Sequence, residues 1–195
     1  MFRLGRRAAI IVSILAVSSA AAGGVLAASR SSDEDALAPA RRPADRGIES
    51  RVNNLLSQMT LQEKLEQIQL LPAVSDEEVR RGLGSAFSIT DPKEINRLQH
   101  IAVDESRLHI PMLFAFDTIH GFRTIFPIPL GAASSFDPSV ASDDHTIGAR
   151  ESAAVGLKQI YSPMVDVSHE PRWGRIAEAG GEDPYLNSVF GAARV

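Results

Sequence analysis

Two stretches of the 195-residue chain concentrate side chains that can do chemistry. In the first, Pro111-Met112-Leu113-Phe114-Ala115-Phe116 runs directly into Asp117-Thr118-Ile119-His120-Gly121. An unbroken apolar run of this kind suits a parallel strand buried on both faces, and an acid at its end sits at the mouth of the sheet. A carboxylate in that position is costly to desolvate unless paired or hydrogen-bonded, so Asp117 is expected to have cationic partners or a polar ligand, with Arg123 one candidate. In the second, Ser168-His169-Glu170-Pro171-Arg172-Trp173-Gly174-Arg175 holds the only tryptophan of the chain, flanked by two arginines. Forked guanidinium donors beside an aromatic face suit a ligand with vicinal hydroxyls or a carboxylate. The same composition admits a structural role, in which Trp173 fills a rim and both arginines bind carbonyls or acids such as Glu178, Glu182 and Asp183.

Other chemistries find little support. Asp117 and His120 could ligate a metal together with His109, His145 or His169, but none of the five histidines forms an H-x-x-x-H or H-x-H pair, and no metal or other cofactor is implied. Ser134-Ser135 lacks the G-x-S-x-G elbow of a serine nucleophile, and the glycines at 121, 131, 180 and 181 do not spell a phosphate loop. The absence of cysteine excludes disulfides, thiolate metal sites and a cysteine nucleophile, so stability must come from the core. Removing Arg3, Arg6 and Arg7 from a formal net charge of −4 leaves −7 for residues 8–195, which argues against a nucleic-acid or anionic-membrane partner.

The elements that must carry these stretches alternate. Ile48, Val52, Leu55, Leu56 and Met59 recur at helical spacing, and Thr60-Leu61-Gln62-Glu63 is a capping box for a second helix through Leu65, Ile68 and Leu71. A weak strand is read over 82–89. Asp91-Pro92-Lys93-Glu94 opens a helix through Ile95, Leu98 and Ala102, and the strand over 111–116 follows. Asp137-Pro138 opens a helix with a small-residue face at Gly148, Ala149, Ala153 and Ala154. Residues 159–167 read as a third strand, and Asp183-Pro184 opens a last helix with Leu186 and Val189 inward. The class is therefore α/β with parallel strands. Three strand–helix units fall short of an eight-stranded barrel, and the final residues end inside a helical pattern without a glycine or proline stop, which reads as truncation.

Upstream, Arg3, Arg6 and Arg7 precede the uncharged run 8–28, with Val25-Leu26-Ala27 a cleavable pattern. Residues 1–28 thus read as an export signal, or alternatively as a membrane anchor, and place the protein in the periplasm or outside the cell. Residues 29–46, poor in large apolar side chains, read as a disordered leader, and the folded part begins near Gly47.

Four motifs in order over residues 47–195 resemble glycoside hydrolase family 3. They are Leu55-Leu56-Ser57-Gln58-Met59-Thr60-Leu61-Gln62-Glu63-Lys64, Phe116-Asp117-Thr118-Ile119-His120-Gly121, Phe126-Pro127-Ile128-Pro129-Leu130-Gly131, and Pro171-Arg172-Trp173-Gly174-Arg175 with Gly181-Glu182-Asp183-Pro184-Tyr185. The match is to the N-terminal domain of the periplasmic or secreted β-glucosidase and β-xylosidase branch. The resemblance implies the N-terminal portion of a (β/α)8 TIM barrel, and hydrolysis of terminal non-reducing β-D-glucosyl or related residues by a retaining mechanism in the full-length enzyme. It implies substrate contacts from Asp117, Arg123 and Arg175, with Trp173, His120 and Arg172 shaping loops. The partner would be a small carbohydrate, a β-glucoside or oligosaccharide. The nucleophile and the acid/base would lie beyond Val195, so further segments of the same enzyme would complete the site. One departure is His169-Glu170, where relatives often carry Arg-Asp. The competing class is a non-catalytic carbohydrate-binding or interaction protein complete at this length.

Overall fold

The computed structural model describes residues 43–195. The signal or anchor read at 1–28, and the leader as far as residue 42, lie outside the described residues. Among the described residues no helix is long and apolar enough to cross a membrane.

Helix α1, Pro43–Gln58, starts four residues before the expected Gly47, with a proline in its first turn, where the missing N–H costs nothing. Helix α2, Leu61–Gln67, opens on the expected capping box: Thr60 Oγ1 accepts from the Glu63 N–H at 3.2 Å, and Glu63 Oε2 accepts from the Thr60 N–H at 2.8 Å. A second capping box, Ser75 with Glu78, opens the short α3, Asp76–Arg80, which the sequence reading did not identify. Helix α4, Pro92–His100, runs on into a π-helical turn at Ile101–Glu105. Helices α5, Pro129–Ala133, α6, Pro138–Ala154, and α7, Pro184–Arg194, complete the set, and Asp137 and Asp183 cap α6 and α7 as expected.

Four parallel strands form one sheet in chain order: β1, Leu70–Leu71; β2, Ser85–Phe87; β3, Leu113–Phe116; and β4, Gln159–Ile160. Ala86 pairs with Phe114, and Phe116 with Ile160. β1 was not expected; its two residues are too few to show a period. β4 is far shorter than the 159–167 expected. Its ladder closes where the Tyr161 N–H donates to the Phe116 carbonyl at 3.1 Å, and two residues later Pro163 has no N–H to continue it.

The main core lies between this sheet and its helices. Phe114 is buried against Val79, Leu83, Ala86, Ile95, Leu98, Ile101, Met112, Val155 and Leu157. Consecutive Phe114 and Ala115 point to opposite faces of β3 and are 1% and 0% exposed, so the strand is buried on both faces at its centre, as expected, while Leu113 at its start is 48% exposed. A smaller core joins Ala133, Ala141 and Phe190 where α5, α6 and α7 meet. The buried stripe of α6 is Ala141, Asp144, His145, Gly148 and Ser152, while Ala149, Ala153 and Ala154 face solvent. This stripe is polar because it is internally satisfied: the His145 ring lies between Asp144 Oδ1 and Ser162 Oγ, in hydrogen-bond contact with both. On α7 the buried residues are Asn187, Phe190, Gly191 and Arg194, with Leu186 partly buried against the smaller core.

Candidate functional site

Asp117 stands one residue beyond the C-terminal end of β3, at the sheet mouth as expected. The turn that follows is held by a reciprocal pair: the Phe126 N–H donates to the His120 carbonyl at 2.9 Å, and His120 Nδ1 meets the Phe126 carbonyl at 3.1 Å. Gly121 has φ 112°, and a Cβ there would fall 2.0 Å from the Thr124 carbonyl oxygen, so the D-x-x-H-G turn requires glycine. His120 is thereby a loop-building residue. The turn opens onto a hollow of about 360 Å³. Asp117, His120 and Glu178 give it polar edges, and Ile119, Ile125, Ile128 and Pro129 an apolar wall. Asp117 is exposed and makes no hydrogen bond among the described residues, so its oxygens are available as acceptors; the buried carboxylate expected from the sequence is not what the structure shows.

Arg175 reaches this hollow through Glu178. Its Nη2 donates to Glu178 Oε2 at 2.6 Å and its Nε to Oε1 at 3.1 Å, a fork-to-fork pair. The hydrogen bonds to Glu178 raise the pKa of Arg175, followed by the charges of Glu178, Asp166 and Asp117; in return Arg175 holds the Glu178 carboxyl below its ordinary value. Asp117 is thus within the electrostatic reach of Arg175. The structural alternative read from the sequence, an arginine bound by Glu178, is realised at Arg175. Arg172 instead pairs with Glu170, Nε to Oε1 at 2.8 Å and Nη2 to Oε2 at 2.7 Å, which pulls the Glu170 carboxyl down to about 2. Glu170 also caps the 3-10 turn Pro171–Trp173, so the departure at His169-Glu170 has a local structural use. Gly174 follows at φ 90° and turns the chain from Trp173 toward Arg175. The segment is tied to α7 by Asn187, which accepts from the Gly180 N–H at 3.1 Å and donates to the Gly181 carbonyl at 3.0 Å.

Arg123 is placed differently. It is exposed, does not line the hollow, and its guanidinium makes no hydrogen bond among the described residues. Its backbone N–H donates to Glu151 Oε2 at 2.8 Å, and Glu151 also takes the Thr124 N–H at 2.9 Å and hydroxyl at 2.7 Å. Of the three expected contacts only Asp117 lines the hollow; Arg175 stands behind Glu178, which does, and Arg123 lies on the adjoining loop. Glu151, which anchors that loop from α6, was missed; nothing in its sequence neighbourhood marks a partner 27 residues away. The histidines considered as metal ligands are spread apart: His109 meets the Val103 carbonyl and His145 meets Asp144 and Ser162. Among the described residues no three metal-donor side chains gather.

Parallel strands in chain order with helices between them define part of a (β/α) barrel, and the hollow lies at the C-terminal rim of its strands. The chain belongs to glycosyl hydrolase family 3, whose N terminal domain model matches residues 52–195. It is 41% identical over 152 residues to a periplasmic beta-glucosidase of Salmonella typhimurium, a match covering 74% of this chain and 20% of that protein. A putative beta-xylosidase of Formosa agariphila is 31% identical over 168 residues, covering 72% and 22%. Crystal structures of a beta-glucosidase from Listeria innocua, one with glucose and one with laminaribiose, superpose with a TM-score of 0.68 at 34% identity, over 75% of this chain and 23% of that one. The chain thus spans about a fifth of the length of these relatives.

Proposed function

We propose that residues 43–195 form one wall of the sugar-binding site of an exported β-glucosidase-type hydrolase, which releases terminal non-reducing β-D-glucosyl or related residues with retention. The observation that carries this reading is Asp117, a carboxylate with free acceptors at the barrel mouth, in a hollow with an apolar wall whose other acid, Glu178, is held by Arg175. A pyranose offers hydroxyl donors around its rim and an apolar C–H face, which matches both sides of that hollow. The relatives solved with glucose and laminaribiose support the ligand class. Arg123 is the third proposed contact, reaching the sugar only if its unpaired side chain extends over the Asp117 loop.

A retaining mechanism needs two free carboxyls about 5–5.5 Å apart. Glu178 shares the hollow with Asp117, but both its oxygens are held by Arg175, so it is not free to attack carbon or protonate an oxygen. The catalytic pair is accordingly assigned to segments of the enzyme other than these. The export assignment rests on the arginines at 3, 6 and 7 followed by an uncharged run, together with the periplasmic relative.

The test is a chimaera in which residues 43–195 replace the matching segment of the Salmonella enzyme. It is expected to hydrolyse a nitrophenyl β-glucoside, and Asp117→Ala to lower kcat/KM by about 2–4 kcal/mol, because charge-assisted bonds to hydroxyls strengthen as the ring flattens. The 195-residue chain alone is expected to show no hydrolysis. An active chimaera indifferent to Asp117→Ala removes this residue from the site.

A further inference from the structure

Helix α6 presents Gly148, Glu151 and Ser152 to the loop that leaves Asp117. Spaced by three and four residues, the three share one face of the helix. Ser152 Oγ meets Thr118 Oγ1 at 3.2 Å, and Thr118 is held there at φ 51°, a left-handed conformation that a β-branched residue rarely adopts. Gly148 leaves room for the same loop: a Cβ on it would fall 3.1 Å from Thr118 Cγ2 and 3.5 Å from Gly121 Cα. Glu151 takes three donors further along, the N–H groups of Arg123 and Thr124 on Oε2 and the Thr124 hydroxyl on Oε1. The Thr124 hydroxyl first, and the Thr124 N–H next, hold the Glu151 carboxyl below its ordinary value. Thr118 and Gly121 line the hollow, and Arg123 follows two residues later.

We propose that Glu151 is a positioning residue for sugar binding: by fixing the backbone at Arg123 and Thr124 it sets the point from which Arg123 reaches the ligand. The proposal rests on the sugar-binding reading of the hollow, with Arg123 as its third contact. An arginine side chain loses several rotors when it is ordered on a ligand, and a backbone that moves beneath it adds to that cost. Two neighbouring N–H groups tied to one carboxylate oxygen remove the backbone part beforehand. The clamp uses main-chain and hydroxyl donors only, so every guanidinium donor of Arg123 remains for a ligand. A glutamine can build the same clamp, its carbonyl on the two N–H groups and its amide donating to Thr124 Oγ1, which then accepts. An alanine cannot.

Methyl β-glucoside titrated into the full chain and followed by ligand-observed NMR reads the contact. Glu151→Ala is expected to weaken binding about two- to tenfold, the range for losing the pre-ordering of one long side chain, and Glu151→Gln to restore it. In an Arg123→Ala background Glu151→Ala is expected to cost nothing more, because the two residues act as one unit. Hydrogen exchange reads the clamp without any ligand: the Arg123 and Thr124 amides should quicken in Glu151→Ala, while the Phe126 amide, bonded to the His120 carbonyl, keeps its rate. Equal weakening with and without Arg123, or a Phe126 amide that quickens alike, would mean that Glu151 supports the whole turn and would overturn the proposal. Unchanged affinity in Glu151→Ala overturns it too, as does a Glu151→Gln chain that binds no better than Glu151→Ala. If Arg123→Ala binds like the parent while Asp117→Ala does not, the proposal fails and the sugar-binding reading stands. If the parent binds no sugar, both fall together.

Discussion

Asp117 and Glu178 are two carboxylates in one hollow, and what separates their roles is their partners. Glu178 gives both oxygens to Arg175; Asp117 gives none to any described residue. Glu178 is then a positioning residue, fixing the guanidinium plane through Nε and Nη2 and leaving Nη1 out of the pair. Glu178→Gln keeps the shape but replaces one acceptor with a donor, which cannot complete the fork. It should weaken methyl β-glucoside binding about two- to tenfold, the lower part of the range for a charged hydrogen bond because Arg175 is half exposed. Arg175→Lys should not restore it, since an ammonium has no fork. A titration followed by ligand-observed NMR checks both, and unchanged affinity in Glu178→Gln would show that Arg175 needs no such support. This pairing was visible in the sequence as an i,i+3 neighbour, one of the structural alternatives for the second motif. The position of Arg123 was not visible, because it depends on Glu151 of α6 holding the loop backbone.

At the scale of elements, the parts legible in the sequence are those whose chemistry is local. Thr60 with Glu63, Asp91, Asp137 and Asp183 mark helix starts because a side chain caps a backbone N–H two or three residues on. Ser75-Asp76-Glu77-Glu78 carries the same signature as Thr60 and was equally readable. The misread parts depend on distant contacts. The inward stripe of α6 carries Asp144 and His145, tolerated there because Ser162, 17 residues away, accepts or donates to the ring. A search for apolar periodicity cannot find a stripe made of satisfied polar groups. The α2 cap also sets a pH dependence. Glu63 holds the Thr60 N–H and takes Arg107 at 2.8 Å and 2.6 Å. The Arg107 hydrogen bonds, then the Thr60 backbone, bring its carboxyl down to about 2 from an ordinary 4.5. A depressed carboxylate adds stability that is fully present above 4.5 and is lost as the pH falls toward 2. Urea unfolding across that window should therefore show a shallower acid decline in Glu63→Gln than in the parent chain, and parallel profiles would mean that the cap contributes nothing.

Over the whole molecule, the sheet is protected at its centre and bare at its ends. β3 pairs on both sides, to β2 and β4, while β1 and β4 are two-residue edges, each with one neighbour. Phe114 and Ala86 are fully enclosed at the centre; Ile125, Phe136 and Leu61 on the surrounding loops and helix are largely exposed. Stability should follow this gradient, because opening the centre removes the main core whereas fraying an edge does not. In native-state hydrogen exchange the slowest amides should be those bonded across the middle of the sheet, such as Leu113 to the Gly84 carbonyl and Ser88 to the Ala115 carbonyl, with Tyr161 on the β4 edge faster. Phe114→Ala should cost about 3–5 kcal/mol by urea unfolding, and Leu113→Ala at the half-exposed start of the strand much less. Equal losses at the two positions would mean that the start of β3 is as well covered as its centre. The site follows the same gradient: Asp117 leaves the most protected strand, whereas Arg175 and Trp173 ride on a loop segment that Asn187 of α7 ties at Gly180 and Gly181, so the Asp117 side of the mouth should stay fixed while the arginine side adjusts to ligand.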